Sequence, residues 1–404
     1  MVRHDAAPQL DDAEVGRIFR AEFGRSVAAL IHAFGDIDLA EDAVQEAFEV
    51  ALARWPSDGV PPNPGGWITT TARNRAIDRL RRQARGRELL TAAAVLSHAD
   101  DADDTIAVED ERLGLIFMCC HPALSQEAQV ALTLRLLGGL STGEVARSFL
   151  VGEPTMAQRL VRAKRKIRLA RIPYRVPDDS ELADRLRPVL AVIYLIYNAG
   201  HGGGDPTLCS EGIRLARVLA ALMPDEPEVC GLLALVLLAE SRRAARIAAD
   251  GSLVLLAEQD RSRWDRAHIA ESRSLLARCP HRGPRGQYQL QAAIAAAHAG
   301  AASVQATDWR RILALYDELF ALTPTPVVAL NRAVAVAEVD GPATALDAID
   351  GLGLGEYYPF HATRGSLLRR MGRRHEARMA FQRASMLAPT DAERAFLRDS
   401  SLGC

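Results

Sequence analysis

The chain has 404 residues, of which 49% are apolar and 25% charged, with six cysteines and a formal net charge of −2. This balance excludes a disordered chain, a disulfide framework and a uniformly basic nucleic-acid binder, and the length admits two to four domains of roughly 100–200 residues each. There is no apolar leader, and no run of about 18 apolar residues could span a membrane, so a reducing, cytoplasmic setting without membrane contact is expected. Apolar residues keep helical spacing almost throughout and β-branched alternation is scarce, which predicts an all-α fold.

The first block, residues 12–95, contains Asp38-Leu-Ala-Glu41, which has the form of a capping box at a helix start. Ala40, Val44, Ala47, Phe48, Ala51 and Leu52 follow as an apolar face, with Asp42, Gln45, Glu46 and Glu49 on the other side. A solvated surface explains that polar side by itself. A turn-rich run from Pro56 to Gly66 leads into GGWITTTARNRAIDRLRR, and from Arg73 to Arg87 there are seven arginines against one acid, Asp78. Arginines at this density contact phosphates, while Trp67, Thr71 and Asn74 can stack on or hydrogen-bond to an unstacked base. The candidate single-strand contacts are therefore Trp67, Thr71, Arg73, Asn74, Arg75 and Arg79. A basic amphipathic helix with Ile68, Ala72, Ala76, Ile77 and Leu80 inside satisfies the same pattern. Residues 96–111 read as a solvated acidic linker, with seven acids and no base from Asp100 to Glu111.

In the second block, residues 112–172, Cys119, Cys120 and His121 adjoin one another. Consecutive helical residues diverge by about 100°, so they converge poorly on one ion and no metal site is expected. Ser141-Thr-Gly-Glu144 opens a helix with a capping box, and Val151-Gly152 breaks it before a basic second helix, the spacing of a helix-turn-helix. Val145, Ala146, Phe149, Leu150, Met156, Leu160, Val161 and Ile167 form the expected inner faces. Thr155, Gln158, Arg159, Arg162, Lys164 and Arg165 are left for duplex DNA, the first of these reading base edges and the later cations holding phosphates. Pro173 and Pro177 end the block.

From 180 to 404 the chain is helical, and Tyr316–Pro324 can be laid on Phe381–Pro389 at an offset of 65 residues. That is close to two tetratricopeptide units of 34 residues, so stacked helix pairs are expected. His201-Gly-Gly-Gly204 has the look of an esterase oxyanion loop, but no G-x-S-x-G elbow accompanies it and no enzyme is expected.

DLAEDAVQEAFEVALARWP followed by GGWITTTARNRAIDRLRR resembles region 2 of extracytoplasmic-function RNA polymerase sigma factors, and PTMAQRLVRAKRKIR resembles their region 4. The CCHPAL segment and long extension are similar to the subgroup often called ECF42, whose relatives carry an Asn-Glu-Gly-Tyr-like sequence where this chain has Asn198-Ala-Gly-His201. The resemblance implies a region 2 helical bundle, a region 4 helix-turn-helix and a tetratricopeptide-like extension, without cofactors. As partners it implies core RNA polymerase, through its β′ clamp and β flap, and promoter DNA. Asp42, Gln45, Glu46 and Glu49 would face the clamp, residues around Thr71–Arg75 the −10 element, and Thr155 and Arg159 the −35 element. Ala157 stands where many relatives place a cation. A protein partner for the extension, which would regulate or support activity, is a further expectation. A helix-turn-helix activator with a tetratricopeptide sensor domain is the alternative.

Overall fold

Three helices build the first bundle: α1 (Asp12–Phe34), α2 (Ile37–Asp58) and α3 (Pro64–Gln83). Phe23, Val27 and Ile31 of α1 meet Ala40, Val44, Phe48 and Trp55 of α2 and Ile68, Ala72 and Ala76 of α3, all at most 3% exposed. Within this bundle the Ser26 and Thr69 hydroxyls lie 3.0 Å apart, joining α1 to α3. The expected inner position Leu52 is instead half exposed, because the buried stripe continues through Ala51 to Trp55 and leaves Leu52 on its outer flank. The cap also differs from expectation. Asp36, in extended conformation, accepts from the Asp38 and Leu39 amides, so Asp38 and Glu41 lie inside the helix with their carboxylates free for other work.

The computed structural model describes residues 12–83, 104–149, 151–201, 206–248, 253–279 and 283–403. The acidic run at 96–103, Arg85, Arg87, Leu150 and Gly202–Gly204 lie outside the described residues. Among the described residues there are nineteen α-helices and no strand, only an isolated antiparallel bridge between Ile247 and Leu253, so the all-α expectation holds. No helix is long and apolar enough to cross a membrane.

Helix α4 (Asp104–Cys119) begins inside the acidic run read as a linker. It is followed by α5 (Gln126–Leu136), α6 (Thr142–Ser148) and α7 (Glu153–Leu169). The capping box at α6 is formed as expected: the Glu144 amide donates to Ser141 Oγ over 3.2 Å and the Ser141 amide to Glu144 Oε2 over 2.7 Å. Ser141→Ala removes one acceptor at this terminus and is expected to lower stability by about 1 kcal/mol, with Ser141→Thr restoring most of it, as read from thermal unfolding.

The chain divides into two compact units, Met1–Leu222 and Met223–Cys404. Helices α8 (Asp179–His201) and α9 (Pro206–Leu222), the first of the extension that sequence punctuation starts at 180, fall within the first unit. The reason is in their polar contacts. Arg185 donates to the Phe117 carbonyl over 3.0 Å, and Arg214 to the Leu137 carbonyl over 2.7 Å while also pairing with Glu211.

The second unit continues with α10 (Pro227–Ser241), α11 (Arg243–Arg246), α12 (Arg266–Arg278) and α13 (Gln287–Gly300). It ends with α14 (Trp309–Leu322), α15 (Pro326–Val339), α16 (Pro342–Ile349), α17 (Tyr358–Arg370), α18 (Arg374–Leu387) and α19 (Asp391–Leu402). The 65-residue offset is structural. It superposes the end of α14 on the end of α18, brings buried Leu319 onto buried Ala384, and pairs Thr325 with Thr390, each capping the next helix. The turns between α15 and α16 and between α17 and α18 pass through Gly341 (φ +93°) and Gly372 (φ +75°), where a side chain would strain the backbone.

Candidate nucleic-acid interface

On α2, Asp42, Gln45, Glu46 and Glu49 share the side opposite the buried stripe; Asp42 and Glu49 are exposed and the other two half-buried. Two of these acids are already engaged. Arg79 of α3, one of the candidate single-strand contacts, stands 2.6 Å from Asp42 and 3.7 Å from Glu46 and so also joins the basic helix to the acidic face. Further along α3, Asn74 and Arg75 are exposed, whereas Thr71 and Arg73 are half-buried. Trp67 is half-buried as well, its ring edge-on to Trp55 at 5.5 Å. Of the six candidate single-strand contacts on this helix, Asn74 and Arg75 are the exposed ones.

Helix α7 divides cleanly. Met156, Leu160, Ala163 and Ile167 are at most 5% exposed and pack inward, while Thr155, Gln158, Arg162 and Arg165 recur at steps of three and four on the outer side, all exposed. Val161, expected inside, is 64% exposed, because the inner stripe runs through Ala163 instead. Arg159 sits on one flank, 3.4 Å from Glu127.

On the other flank Lys164 departs from its expected place. Its side chain is only 14% exposed, and its ammonium donates to Glu41 over 2.6 Å and to Asp38 over 2.9 Å. Arg168 also reaches Asp38, at 3.1 Å. Glu41 is buried and also accepts from Arg135 of α5, which in turn donates to the Leu140 carbonyl over 2.8 Å. One carboxylate therefore receives two cations from the helix-turn-helix block. Burial pushes the Lys164 ammonium down, but Glu41 and Asp38 outweigh it and hold the group above the usual lysine range. The Tyr174 hydroxyl supports the same junction, 2.8 Å from the Ala28 carbonyl and 2.7 Å from that of Glu111.

Sequence reasoning missed Asp38, Glu41, Arg135 and Arg168 as a set. A signal was present: Arg135 is the one charged residue between Glu127 and Glu144, and an isolated arginine in an apolar helix needs a buried partner.

The Cys119-Cys120-His121 segment is a clamped turn. Both thiols are buried, and Gln129 Nε2 donates to the His121 carbonyl over 2.9 Å and to the Cys120 carbonyl over 3.3 Å. Burial pushes the Cys120 thiol up to about 12, which keeps the sulfur protonated at neutral pH.

Three family models match the chain: Sigma-70 region 2 over residues 22–86, Sigma-70, region 4 over 114–167, and a family of unknown function (DUF6596) over 185–280. An uncharacterized protein of Rhizobium meliloti (strain 1021) is 44% identical over 390 residues, covering 93% of this chain and 92% of that protein. The ECF RNA polymerase sigma factor SigK of Mycobacterium ulcerans (strain Agy99) is 31% identical over 138 residues, 33% of this chain and 72% of that protein. No solved structure matches. The two Sigma-70 matches fall on the α1–α3 bundle and on the α4–α7 block, and the chain belongs to the extracytoplasmic-function RNA polymerase sigma factors, which direct transcription initiation.

Proposed function

We propose that this sigma factor reads its promoter with two surfaces that the present arrangement holds closed against each other. In this reading Asp42, Gln45, Glu46 and Glu49 dock on the β′ clamp of core polymerase, and region 4 meets the β flap. Trp67, Thr71, Arg73, Asn74, Arg75 and Arg79 line the path of the −10 strand. Thr155, Gln158, Arg159, Arg162, Lys164 and Arg165 face the −35 duplex, the outer four on α7 reaching it first.

The observation that carries the reading is the exposed series Thr155, Gln158, Arg162 and Arg165, backed by a buried face and preceded by a formed helix-turn-helix. That is the geometry by which a recognition helix enters a major groove. Lys164 and Arg168 can contribute phosphate contacts only after leaving Asp38 and Glu41, so promoter engagement separates region 4 from α2. Clamp binding competes for the same helix and favours the separation. The second unit regulates or supports this opening.

Run-off transcription tests it. Purified chain added to core polymerase free of other sigma factors is expected to start transcripts at a cognate promoter. Duplex binding without initiation would instead identify a helix-turn-helix activator.

A further inference from the structure

The second unit holds a cavity of about 400 Å³ walled by α15, α17, α18 and α19 and closed on one side by the loops before α12 and α14. That volume lies in the range of small-molecule sites, roughly 300–1,000 Å³. Its wall is apolar, built from Trp309, Val334, Leu367, Phe381 and Phe396, and Val334 and Leu255 leave 40% and 44% of their surface in water.

The charges at this wall are unbalanced. Arg370 is matched by Glu338 at 2.6 Å. Arg369 lies over the Phe381 ring at 5.4 Å, and among the described residues no carboxylate comes within ion-pair distance of it. Arg261 is fixed by the His298 and Ala301 carbonyls at 2.7 and 2.6 Å and by stacking on Trp264 at 4.7 Å, again without a carboxylate partner. Burial first, then the Arg242 and Arg261 charges, push His298 down to about 4, so that imidazole is neutral at pH 7 and adds a polar contact without adding charge. Among the described residues the cavity therefore has an apolar interior, two guanidinium charges without a carboxylate partner and one carboxylate that is already taken.

We propose that this cavity is a binding site for a small amphipathic anion, an alkyl or aromatic body carrying one carboxylate, with the body against Val334, Leu367, Phe396 and Trp309 and the carboxylate on Arg369. A neutral ligand of the same shape leaves the arginine charges unmatched. A longer acidic peptide would not bury its backbone groups in an apolar space of this size. The site lies wholly within the second unit and is independent of how the first unit meets polymerase.

Calorimetric titration of the full chain with decanoate, naphthoate and decan-1-ol tests the assignment. Saturable binding of at least one carboxylate is expected, with decan-1-ol weaker by about tenfold or more, the scale of one missing charge-assisted hydrogen bond. Arg369→Gln, at an exposed position, is expected to weaken carboxylate binding by a similar factor and to leave decan-1-ol unchanged, whereas Val334→Glu should abolish both. Unchanged circular dichroism confirms that each variant is folded. Absence of saturable carboxylate binding, equal affinity for decanoate and decan-1-ol, or an Arg369→Gln chain that binds decanoate like the parent overturns the proposal.

Discussion

Glu41→Ala is expected to lower the free energy of opening α2 and α5 by about 3–5 kcal/mol, the cost of removing one member of a buried ion pair and leaving its partner uncompensated. Arg135 and Glu41 have side chains only 9% and 7% exposed, and Lys164 on the same carboxylate is 14% exposed. Without the carboxylate, Arg135 keeps, among the described residues, the Leu140 carbonyl alone. Hydrogen exchange of the α2 and α5 amides measures the effect where it arises. A loss below about 1 kcal/mol, the scale of a surface pair, would show that the network is not a closure. Glu41→Gln should lie between, since an amide still accepts from a guanidinium but brings no charge. Lys164→Met in the Glu41→Ala background should add less than it does alone, because the two residues share one carboxylate.

The second large effect concerns α7. Arg162→Ala together with Arg165→Ala is expected to weaken binding to a −35 duplex by about 10- to 100-fold near physiological salt and to lower the slope of log affinity against log salt by about 2, roughly 0.9 for each phosphate no longer neutralised. Both side chains are exposed and outside the junction with α2, so the variant should fold like the parent. Gln158→Ala should act differently, relaxing sequence preference with little change in salt slope, as expected for a residue that reads a base rather than a phosphate. Fluorescence anisotropy with cognate and scrambled duplexes at several salt concentrations separates the two outcomes. An unchanged slope for the double variant would remove α7 from the interface.

Much of this architecture could be read from local pattern. The Ser141-Thr-Gly-Glu144 capping box, the break at Gly152 and the alternation of Met156, Leu160 and Ile167 with outward cations depend on interactions within a few residues, and they appear in the structure where the spacing places them. The same holds for the repeat: the Pro-Thr sequence after α14 recurs after α18 because each stacked pair needs the same exit turn and cap. Local pattern failed where a residue had two locally adequate roles. Asp38 to Glu41 fits a capping box, but Asp36 supplies the cap and Glu41 turns inward to Arg135, 94 positions along the chain. Lys164 fits a phosphate-binding face by charge and spacing, and what spacing could not show is that α7 holds it against Asp38 and Glu41 of α2, where it also ties region 4 to region 2.

The amino-acid sequence by itself thus determined the helical class, the order of the two DNA-reading blocks and the outward series on α7, because helix periodicity, caps and charge runs are short-range quantities. Only the tertiary structure decided which charges face water. Arg79, Lys164, Arg168 and Arg135 are satisfied by carboxylates distant in sequence, and Arg369 has no carboxylate partner among the described residues beside an apolar cavity. The physical reason is that an ion pair depends on separation in space and on local burial, and neither quantity is carried by spacing along the chain.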